Sequence, residues 1–386
     1  MEPKGFKPQK TGRLLRNLDG RLTFVPDALP PKLRLAPRDY ERVSEVSNLL
    51  GRLDGIARTL PDPTILIRSF VRREAQLSSY IENTFARFDE MAVADRDEGR
   101  STAGGEVVET LNAERAILAG VDAVFFRGQP VTNALIRQMH EVLLMGVRGH
   151  ETRGRFREVQ VYIGNQSSGI DGARFVPAPP HMLPELMEEF ERYLTGADEL
   201  PSLLQLGLLH YQFETIHPFE DGNGRLGRIL MLLGLCRHEL LSVPLLNASL
   251  HFERNRQAYY DALLRVSTHG DWVGWLWFFL EGLRVAAIES TQKLTELLSL
   301  QREYHALIRS SRNSSVLLTL VDSLFISPVV TVPQAAELMR VSWPAANTSV
   351  QKLVSAGILR ARPSGKTTRY VADTVLKAVN AEPTRR

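Results

Sequence analysis

Residues 217–228 read HPFEDGNGRLGR and place one histidine, two carboxylates, an asparagine, three glycines and two arginines within twelve positions. The run before them has apolar residues at helical spacing up to Ile216, and Pro218 disfavours an α conformation for His217. An apolar helix resumes after the turn, and Asn223 is a favourable N-cap for it. The stretch therefore predicts two helices joined by a tight turn, with the histidine where the first helix ends.

The start of the second helix has the composition of an anion-binding site. Its free main-chain N–H groups carry partial positive charge, and Gly222 and Gly224 allow a ligand to approach the backbone closely. Arg225 and Arg228 are three positions apart and share one helix face. Asp221 is a candidate Mg²⁺ ligand, because magnesium is usually held by one or two carboxylates together with substrate phosphates. We therefore predict a site for several phosphates, with a histidine across a short loop.

A simpler interpretation of this stretch is a capped helix that follows an ordinary histidine, but it leaves the three glycines and both arginines unexplained. A Walker A loop is excluded as well. The run SGKTT at 364–368 approximates one, but Arg360 stands where the first glycine is required. We interpret Gly365 and Lys366 as the turn of a hairpin.

The segment HPFEDGNGR, followed by Leu-Gly-Arg, resembles in full the signature HPFxDGNGRxxR of the Fic family. The resemblance extends from about residue 20 to residue 295. It implies a mainly α fold, made of a Fic-type helical domain with a small β-hairpin flap at 169–180. It also implies a nucleotidyltransferase that moves AMP from ATP, with Mg²⁺, to a hydroxyl side chain of a target protein or of itself.

The resemblance assigns roles to individual residues of the signature. His217 is the general base that takes the proton from the target hydroxyl, and Asp221 holds Mg²⁺ against the α- and β-phosphates. The expected phosphate-binding residues are Gly222, Asn223, Gly224, Arg225 and, for the γ-phosphate, Arg228.

The segment RNRQAYYDALLRV at 254–266 resembles the helix that follows the signature in the family. By this resemblance Tyr259 and Leu263 border the adenine. They are four positions apart and share a helix face, so the pair could equally belong to the core.

A second motif lies upstream, where residues 78–83 read SSYIEN. Ser78 and Glu82 are four apart and stack on one helix face. With Asn83 they resemble the family's inhibitory pattern, Ser/Thr-x-x-x-Glu followed by Gly or Asn, in the subgroup with an N-terminal inhibitory helix. Arg228 can pair with a carboxylate or with a γ-phosphate, but not with both at once. We therefore expect Glu82 to misplace the γ-phosphate and inhibit transfer.

We expect three regions along the chain: an N-terminal Fic-associated helical region at 1–105, a Fic catalytic core at 106–299 and a winged-helix domain at 310–378. The first 35 residues are typical of an extended arm, and the charged run at 93–105 predicts a mobile loop. The periodicity predicts helices over 38–92, 106–119, 130–146, 182–195, 201–216, 224–240, 253–266 and 271–299.

The C-terminal end is basic. Residues 301–386 contain three Lys and nine Arg against five Asp or Glu, a net +7, whereas the whole chain is +3, which leaves about −4 for the rest. Three short helices and a hairpin over 310–378 are typical of a winged helix. Its third helix offers Ser342, Asn347, Ser349, Gln351 and Lys352, and its wing offers Arg360, Arg362, Lys366 and Arg369. DNA is therefore a candidate partner, and packing or dimerisation, with Trp343 as an anchor, is the alternative.

The sequence excludes other classes of protein. Its single cysteine, Cys236, excludes a disulfide framework and a cysteine-based zinc site. The N-terminus lacks the apolar core of a signal peptide, and the most apolar run, at 229–236, is too short to cross a bilayer. We therefore expect a cytoplasmic protein that does not contact membranes.

The sequence favours an autoinhibited protein adenylyltransferase that acts on a Ser, Thr or Tyr hydroxyl. Two alternatives stay open: a DNA-binding transcriptional regulator whose Fic domain senses nucleotide, and a transferase that uses another nucleotide donor. A homodimer is also left open.

Overall fold

The computed structural model describes residues 6, 11–17, 20–60, 62, 64–96, 104–164, 169–170, 172–309, 314–364 and 367–380. In these residues the chain is mainly helical, with two small antiparallel sheets. The prediction of a mainly α fold is confirmed. No helix among them combines the length and apolar character that a bilayer crossing requires.

The N-terminal segment forms a hairpin where we expected an extended arm. Strand β1 (Gly12–Arg16) pairs antiparallel with β2 (Leu22–Pro26). Phe24 on β2 is buried, and its N–H donates to the carbonyl of Val176, 2.9 Å away. The hairpin pairs internally and packs against the segment of the expected flap, so its backbone groups find partners that a lone arm would lack.

The helices up to the signature lie where they are predicted, except that residues 82–87, inside the run predicted over 38–92, are not helical. Residues 97–103 of the expected mobile loop lie outside the described residues, but α3 extends four residues into that run. The helices are α1 (Pro37–Arg58), α2 (Thr64–Ile81), α3 (Phe88–Arg96), α4 (Gly105–Val121), α5 (Asn133–Leu143), α6 (Leu183–Thr195), α7 (Ser202–Ile216), α8 (Asn223–Arg237), α9 (Ser249–Arg254), α10 (Arg256–His269) and α11 (Trp272–Ile308).

Helices α7 and α8 form the centre of the core. Both are buried on nearly every face, as expected for helices without a polar stripe. They pack directly against each other, and a Cβ on Gly234 of α8 would collide with Leu206 of α7. This close pairing brings the end of α7 and the beginning of α8 to the same edge of the core, where the signature lies.

Helix α11 is 37 residues long and runs to Ile308, beyond the predicted end at residue 299. It carries the chain into a C-terminal module, residues 314–380. A three-stranded sheet of order β3-β5-β4 covers one side of that module. The elements of the module are α12 (Ser314–Ile326), β3 (Val329–Val330), α13 (Val332–Met339), α14 (Trp343–Ser355), β4 (Arg360–Ser364), β5 (Thr367–Val371) and α15 (Asp373–Asn380).

The C-terminal module packs against α2 and α3. The hydroxyl of Ser69 on α2 donates to the carbonyl of Phe325 at the end of α12. Ala92 on α3 is buried together with Val329 and Val371 of the module's sheet. Helix α2, which carries Ser78, therefore lies between the central helices and the C-terminal module.

Candidate active site

His217 stands at the end of α7 in a left-handed conformation, with φ 50° and ψ 63°. Its N–H donates to the carbonyl of Phe213 at 2.9 Å, which closes the last helical turn. Its ring Nδ1 lies 3.2 Å from the carbonyl oxygen of Glu214. A carbonyl can only accept a hydrogen bond, so Nδ1 carries the proton and Nε2 keeps a free lone pair. The imidazole is thus oriented as a proton acceptor.

The surroundings of His217 keep the ring neutral. The residue is partly exposed, yet its ring lies deep enough that burial lowers its pKa to about 4, and the cation of Arg157 acts in the same direction. An imidazole that is neutral at neutral pH can accept a proton, which is the requirement for a general base.

The turn after His217 is closed by Asn223, although in a different way from the prediction. The N-cap of α8 is Gly222, with φ 82°, and Asn223 is the first residue inside the helix, so the prediction of an Asn223 N-cap is wrong. The Asn223 side chain instead accepts from the N–H of Phe219 and donates to its carbonyl, both at 2.9 Å. Glycine tolerates the positive φ of the cap, which frees the asparagine to bind the loop.

His140, which was not among the predicted site residues, packs against the same turn. His140 on α5 stacks on Phe219, with ring centroids 3.8 Å apart. Its Nδ1 accepts from the N–H of Gly154 at 2.9 Å, so Nε2 is protonated and donates to the carbonyl of Asp221 at 3.0 Å. Burial lowers the pKa of His140 to about 4, which keeps that arrangement intact. The sequence gives no signal for it, since a lone histidine on a helix has many uses.

Arg228 is held by Ser78 and Glu82 of the upstream motif. Its Nε donates to the hydroxyl of Ser78 at 2.8 Å, and its Nη2 donates to the Ser78 carbonyl at 2.9 Å. The same Nη2 lies 2.7 Å from Oε1 of Glu82. Burial disfavours the charged form of Arg228, but the neighbouring carboxylates, Glu82 first, outweigh it and raise the pKa. The structure thus brings Glu82 to Arg228, the pairing considered from the sequence, and adds Ser78 as a second partner of the arginine.

The carboxylate of Glu82 also covers the first turn of α8. A Cβ on Gly224 would collide with Oε1 of Glu82. The space over Gly224 lies at a helix N-terminus, where main-chain N–H groups favour an anion. Glu82 is therefore placed at the helix start that the sequence analysis assigned to phosphates.

Asn83 shows why the upstream motif ends in a small or amide residue. It has φ 61°, a left-handed conformation that asparagine and glycine adopt more readily than other residues. Its N–H donates to the carbonyl of Tyr80 at 3.1 Å, at the point where α2 ends. Its side-chain oxygen accepts from Nη1 of Arg256 at 2.5 Å. Helix α2 thus ends at Ile81, directly before Glu82, and the contact of Asn83 with Arg256 fixes that end to α10.

The second arginine of the signature also has a carboxylate partner. Arg225 is 3% exposed, and its Nη1 lies 3.4 Å from Oε2 of Glu109 on α4. The same Oε2 accepts from the hydroxyl of Thr84, at 3.2 Å, just after the upstream motif. Glu109 was missed because nothing in its local sequence distinguishes it from a solvent-facing glutamate of a helix.

Asp221 has one oxygen on the turn and one toward solvent. Its Oδ1 accepts from the N–H of Gly222 at 2.6 Å, and Oδ2 lies 3.1 Å from Nη2 of Arg148. Its side chain is 28% exposed. In the described part of the chain, no group of three His, Cys, Asp or Glu side chains could hold a metal by itself. A single reachable carboxylate fits Mg²⁺ when phosphate oxygens complete the coordination.

Tyr259 lies beneath the site. It is 1% exposed, its ring stacks on Phe252 at 4.9 Å, and its hydroxyl is 2.7 Å from Nε2 of His210. In this position it is a core residue, the alternative that the sequence left open for the pair. Leu263, one turn later on α10, is partly exposed. Tyr260, which was not among the predicted site residues, contacts the end of α2, since its hydroxyl donates to the carbonyl of Ile81 at 3.3 Å.

The expected flap is joined by a single bridge in the described residues. Ile163 and Phe175 pair antiparallel, and the N–H of Ile163 donates to the carbonyl of Phe175 at 2.8 Å. Residues 165–168 and 171, within or next to the flap predicted at 169–180, lie outside the described residues.

Two segments of the chain match models of a known protein family. Residues 130–235 match the model of the Fic/DOC family, and residues 40–122 match the model of the Fic/DOC family N-terminal region. A probable protein adenylyltransferase of Aquifex aeolicus is 38% identical over 94 residues, which are 24% of this chain and 27% of the relative. The protein adenylyltransferase Fic of Drosophila ananassae is 31% identical over 155 residues, 39% of this chain and 27% of that protein. The chain thus spans about a quarter of the length of these curated relatives.

One solved structure is similar over most of the chain. The crystal structure of a Fic family protein from Desulfovibrio desulfuricans G20 superposes with a TM-score of 0.58 and covers 89% of this chain and 98% of its own. The two sequences are 21% identical, so this likeness concerns the fold.

Proposed function

The chain belongs to the Fic/DOC family, and we propose that it transfers AMP from ATP to a hydroxyl side chain of a protein, under inhibition by its own helix α2. One observation carries the proposal. A neutral histidine with a free Nε2 lies across a short turn from a glycine-rich helix start with two buried arginines.

The chemistry needs little beyond these groups. The target hydroxyl oxygen attacks the α-phosphorus, and His217 Nε2 takes its proton as the new O–P bond forms. The bond from the α-phosphorus to the oxygen bridging to the β-phosphate breaks, and pyrophosphate leaves with the electron pair. Displacements at phosphorus depend mainly on positioning and charge neutralisation, which Arg225, Arg228 and the N-terminus of α8 supply.

Magnesium fits this scheme at Asp221, because that carboxylate is reachable and lies at the phosphate-binding turn. When bound, Mg²⁺ would neutralise phosphate charge there. Of the predicted phosphate ligands, Asn223 has both side-chain atoms engaged by Phe219, so its contribution comes through the main-chain N–H.

Inhibition follows because carboxylates already lie beside the two arginines that would bind phosphate. Glu82 holds Arg228 and covers Gly224, while Glu109 lies beside Arg225. A nucleotide can bind in this state only with its γ-phosphate displaced, which takes the α-phosphate out of line for attack. The Arg–carboxylate pair is well suited to such exclusion, because the same N–H donors serve a phosphate or a carboxylate.

The experiment that tests the transfer compares labels in ATP. The Glu82→Gly protein is incubated with Mg²⁺ and ATP labelled either at the α- or at the γ-phosphate. AMP transfer predicts label on protein from the α-position alone, and none in the same protein carrying His217→Ala. Label from the γ-position would indicate phosphoryl transfer and contradict the proposal.

A second candidate function rests on the C-terminal module, which we interpret as a winged helix. The exposed face of α14 is polar and carries Asn347, Thr348, Gln351, Lys352 and Ser355. Amides and a lysine on one helix face suit contacts to base edges and phosphates. Arg360 and Arg362 are both paired with Asp373, so they are not free for DNA in this state, and Lys366 lies outside the described residues.

Duplex DNA binding would show a steep fall in affinity with salt, and Lys352→Ala would reduce the salt slope by about one unit. Binding that is absent at low salt would exclude this second function. The homodimer stays a prediction, with the 55%-exposed Trp343 as its candidate anchor.

A further inference from the structure

Arg157 is a buried cation beside the turn at residues 216–218, here called the catalytic turn. It belongs neither to the signature nor to the upstream motif. It is 2% exposed. Its Nε donates to the carbonyl of His217 at 2.8 Å, and its Nη2 donates to that of Ala178 at 2.6 Å. Weaker bonds reach the carbonyls of Val159 and Ile216 at 3.2 and 3.4 Å. In the part of the chain that the structure describes, no carboxylate pairs with it.

A buried guanidinium without a counterion is costly and persists only where hydrogen bonds compensate. Burial lowers the pKa of Arg157 to about 10, so the group stays charged at neutral pH. A planar guanidinium presents five N–H donors in a fixed fork, whereas a lysine ammonium is a compact point charge. The three nitrogens here reach carbonyls on separate segments, and that geometry requires arginine.

These carbonyls surround the strained residue of the site. His217 has a positive φ of 50°, which is uncommon for a residue with a side chain. The guanidinium of Arg157 donates to the carbonyls of Ile216 and His217. The main-chain N–H of Arg157 donates to the carbonyl of Pro218 at 2.9 Å. One residue therefore holds three consecutive main-chain carbonyls around the turn.

The other contacts of Arg157 lie on both sides of the flap. Val159 precedes the Ile163–Phe175 bridge and Ala178 follows it. The flap is the hairpin that the family resemblance implies at 169–180. Arg157 thus ties the catalytic turn to both sides of the flap's base.

We propose that Arg157 is a positioning residue for His217, which fixes the main-chain turn around the histidine to the base of the flap and so aims Nε2 at the target hydroxyl. Its catalytic consequence rests on the proposed function, but its effect on the imidazole does not. A residue that served folding alone would leave the histidine unchanged in a folded variant.

The test uses the Glu82→Gly protein as parent, with Arg157→Lys and Arg157→Met as variants. Arg155→Met is the matched control, because Arg155 is two positions away and exposed. We expect Arg157→Lys to lower kcat for transfer by about 10- to 100-fold, since small misplacements of a reacting group cost that much. The KM for ATP should stay within about twofold, because Arg157 touches no predicted phosphate site. Arg155→Met should leave both constants unchanged.

The second readout is the nitrogen NMR signal of the His217 ring, measured without nucleotide. The parent should show the neutral tautomer with the proton on Nδ1, as its bond to Glu214 requires. Arg157→Lys should show a mixture of tautomers, because the turn that orients the ring is loosened. Of the other charged groups that act on this ring, Asp221 is present in the parent and in every variant, and Glu82 is replaced in all of them.

Unchanged kcat in Arg157→Lys, a loss confined to KM, or a His217 signal identical to the parent would each overturn the proposal. If the parent transfers no AMP, the proposed function fails but the His217 signal still decides the role of Arg157. If neither variant folds, the parent itself decides: the Arg157 Nε–H should exchange with solvent far more slowly than that of Arg155, and equal exchange would overturn the proposal.

Discussion

Nη2 of Arg228 lies 2.7 Å from Oε1 of Glu82, although 146 positions separate the two residues along the chain. Arg228 is 1% exposed, whereas the Glu82 side chain is 34% exposed. The arginine is therefore fixed in the core while the carboxylate lies at its surface, where it can leave. A γ-phosphate that takes the place of Glu82 would find the cation already positioned, which makes Glu82 the movable half of the pair.

The hydroxyl of Ser78 gives a graded test of this pair. Ser78→Ala removes the acceptor of Arg228 Nε but keeps the bond to the Ser78 carbonyl and to Glu82. A hydrogen bond to a charged group is worth about 1.5–3 kcal/mol, and solvent or substrate can replace part of it. We expect labelling from α-labelled ATP to rise about fivefold, less than in Glu82→Gly. Ser79→Ala is the control, because its buried hydroxyl has no hydrogen-bond partner among the residues that the structure describes. Equal labelling in both serine variants would contradict the prediction.

The pair of Glu109 and Arg225 predicts an effect on nucleotide affinity. Glu109→Gln should leave Arg225 with Asp221, 3.6 Å away, as its carboxylate partner and tighten the binding of Mg²⁺–ATP by about fivefold, or about 1 kcal/mol, as expected for a pair with a partly exposed carboxylate. Isothermal titration calorimetry measures this directly. Glu106→Gln, on the exposed first turn of the same helix, should leave the affinity unchanged. Weaker binding in Glu109→Gln would show that the carboxylate supports the site instead of occupying it.

The histidine of the signature should titrate far from its usual range. Burial lowers the pKa of His217 to about 4 in the folded protein, against about 6.5 in an unfolded chain. NMR titration should find these two midpoints in native and urea-unfolded samples. Because folding favours the neutral form, the contribution of His217 to stability is complete above pH 6.5 and is lost as the pH falls towards 4. A native midpoint near 6.5 would mean that the ring is solvated.

The anchoring of α2 predicts a change in stability. Arg72 on α2 is fully buried and contacts Glu114 on α4 at 2.7 Å and Asp95 on α3 at 2.7 Å. Arg72→Met leaves the buried Glu114 without this partner, which should lower the free energy of unfolding by about 3–5 kcal/mol. Arg87→Met removes an exposed pair and should cost under about 1 kcal/mol. Urea unfolding of the two variants measures both changes. Equal losses in the free energy of unfolding would contradict the role of Arg72 in anchoring α2.

Most helices and the two residues of the Glu82–Arg228 contact could be predicted from sequence, because their signals are local or belong to a motif. The end of α11 was placed too early. It continues to Ile308 because Leu300, Tyr304 and Ile308 are buried against the C-terminal module, a contact that only the tertiary fold provides.

The supporting residues of the site could not be predicted. These residues lie on separate segments, and each contacts a partner far along the chain. Arg157 binds the carbonyl of His217, His140 stacks on the ring of Phe219, and Glu109 pairs with the cation of Arg225. No local pattern records such partners. Tyr259 has a clear sequence signal that does not decide its role, because its helical spacing fits a binding face and a core face equally well. The fold stacks it on Phe252 in the core.

The measurement that tests the account most directly is mass spectrometry of three proteins after incubation with Mg²⁺ and ATP: wild type, Glu82→Gly and His217→Ala in the Glu82→Gly background. The account predicts an AMP adduct, on the protein itself or on a protein of a cell lysate, that is strong in Glu82→Gly, weak in wild type and absent once His217 is replaced. Equal adduct in wild type and Glu82→Gly would remove Glu82 from the mechanism. No adduct in any of the three would contradict AMP transfer itself.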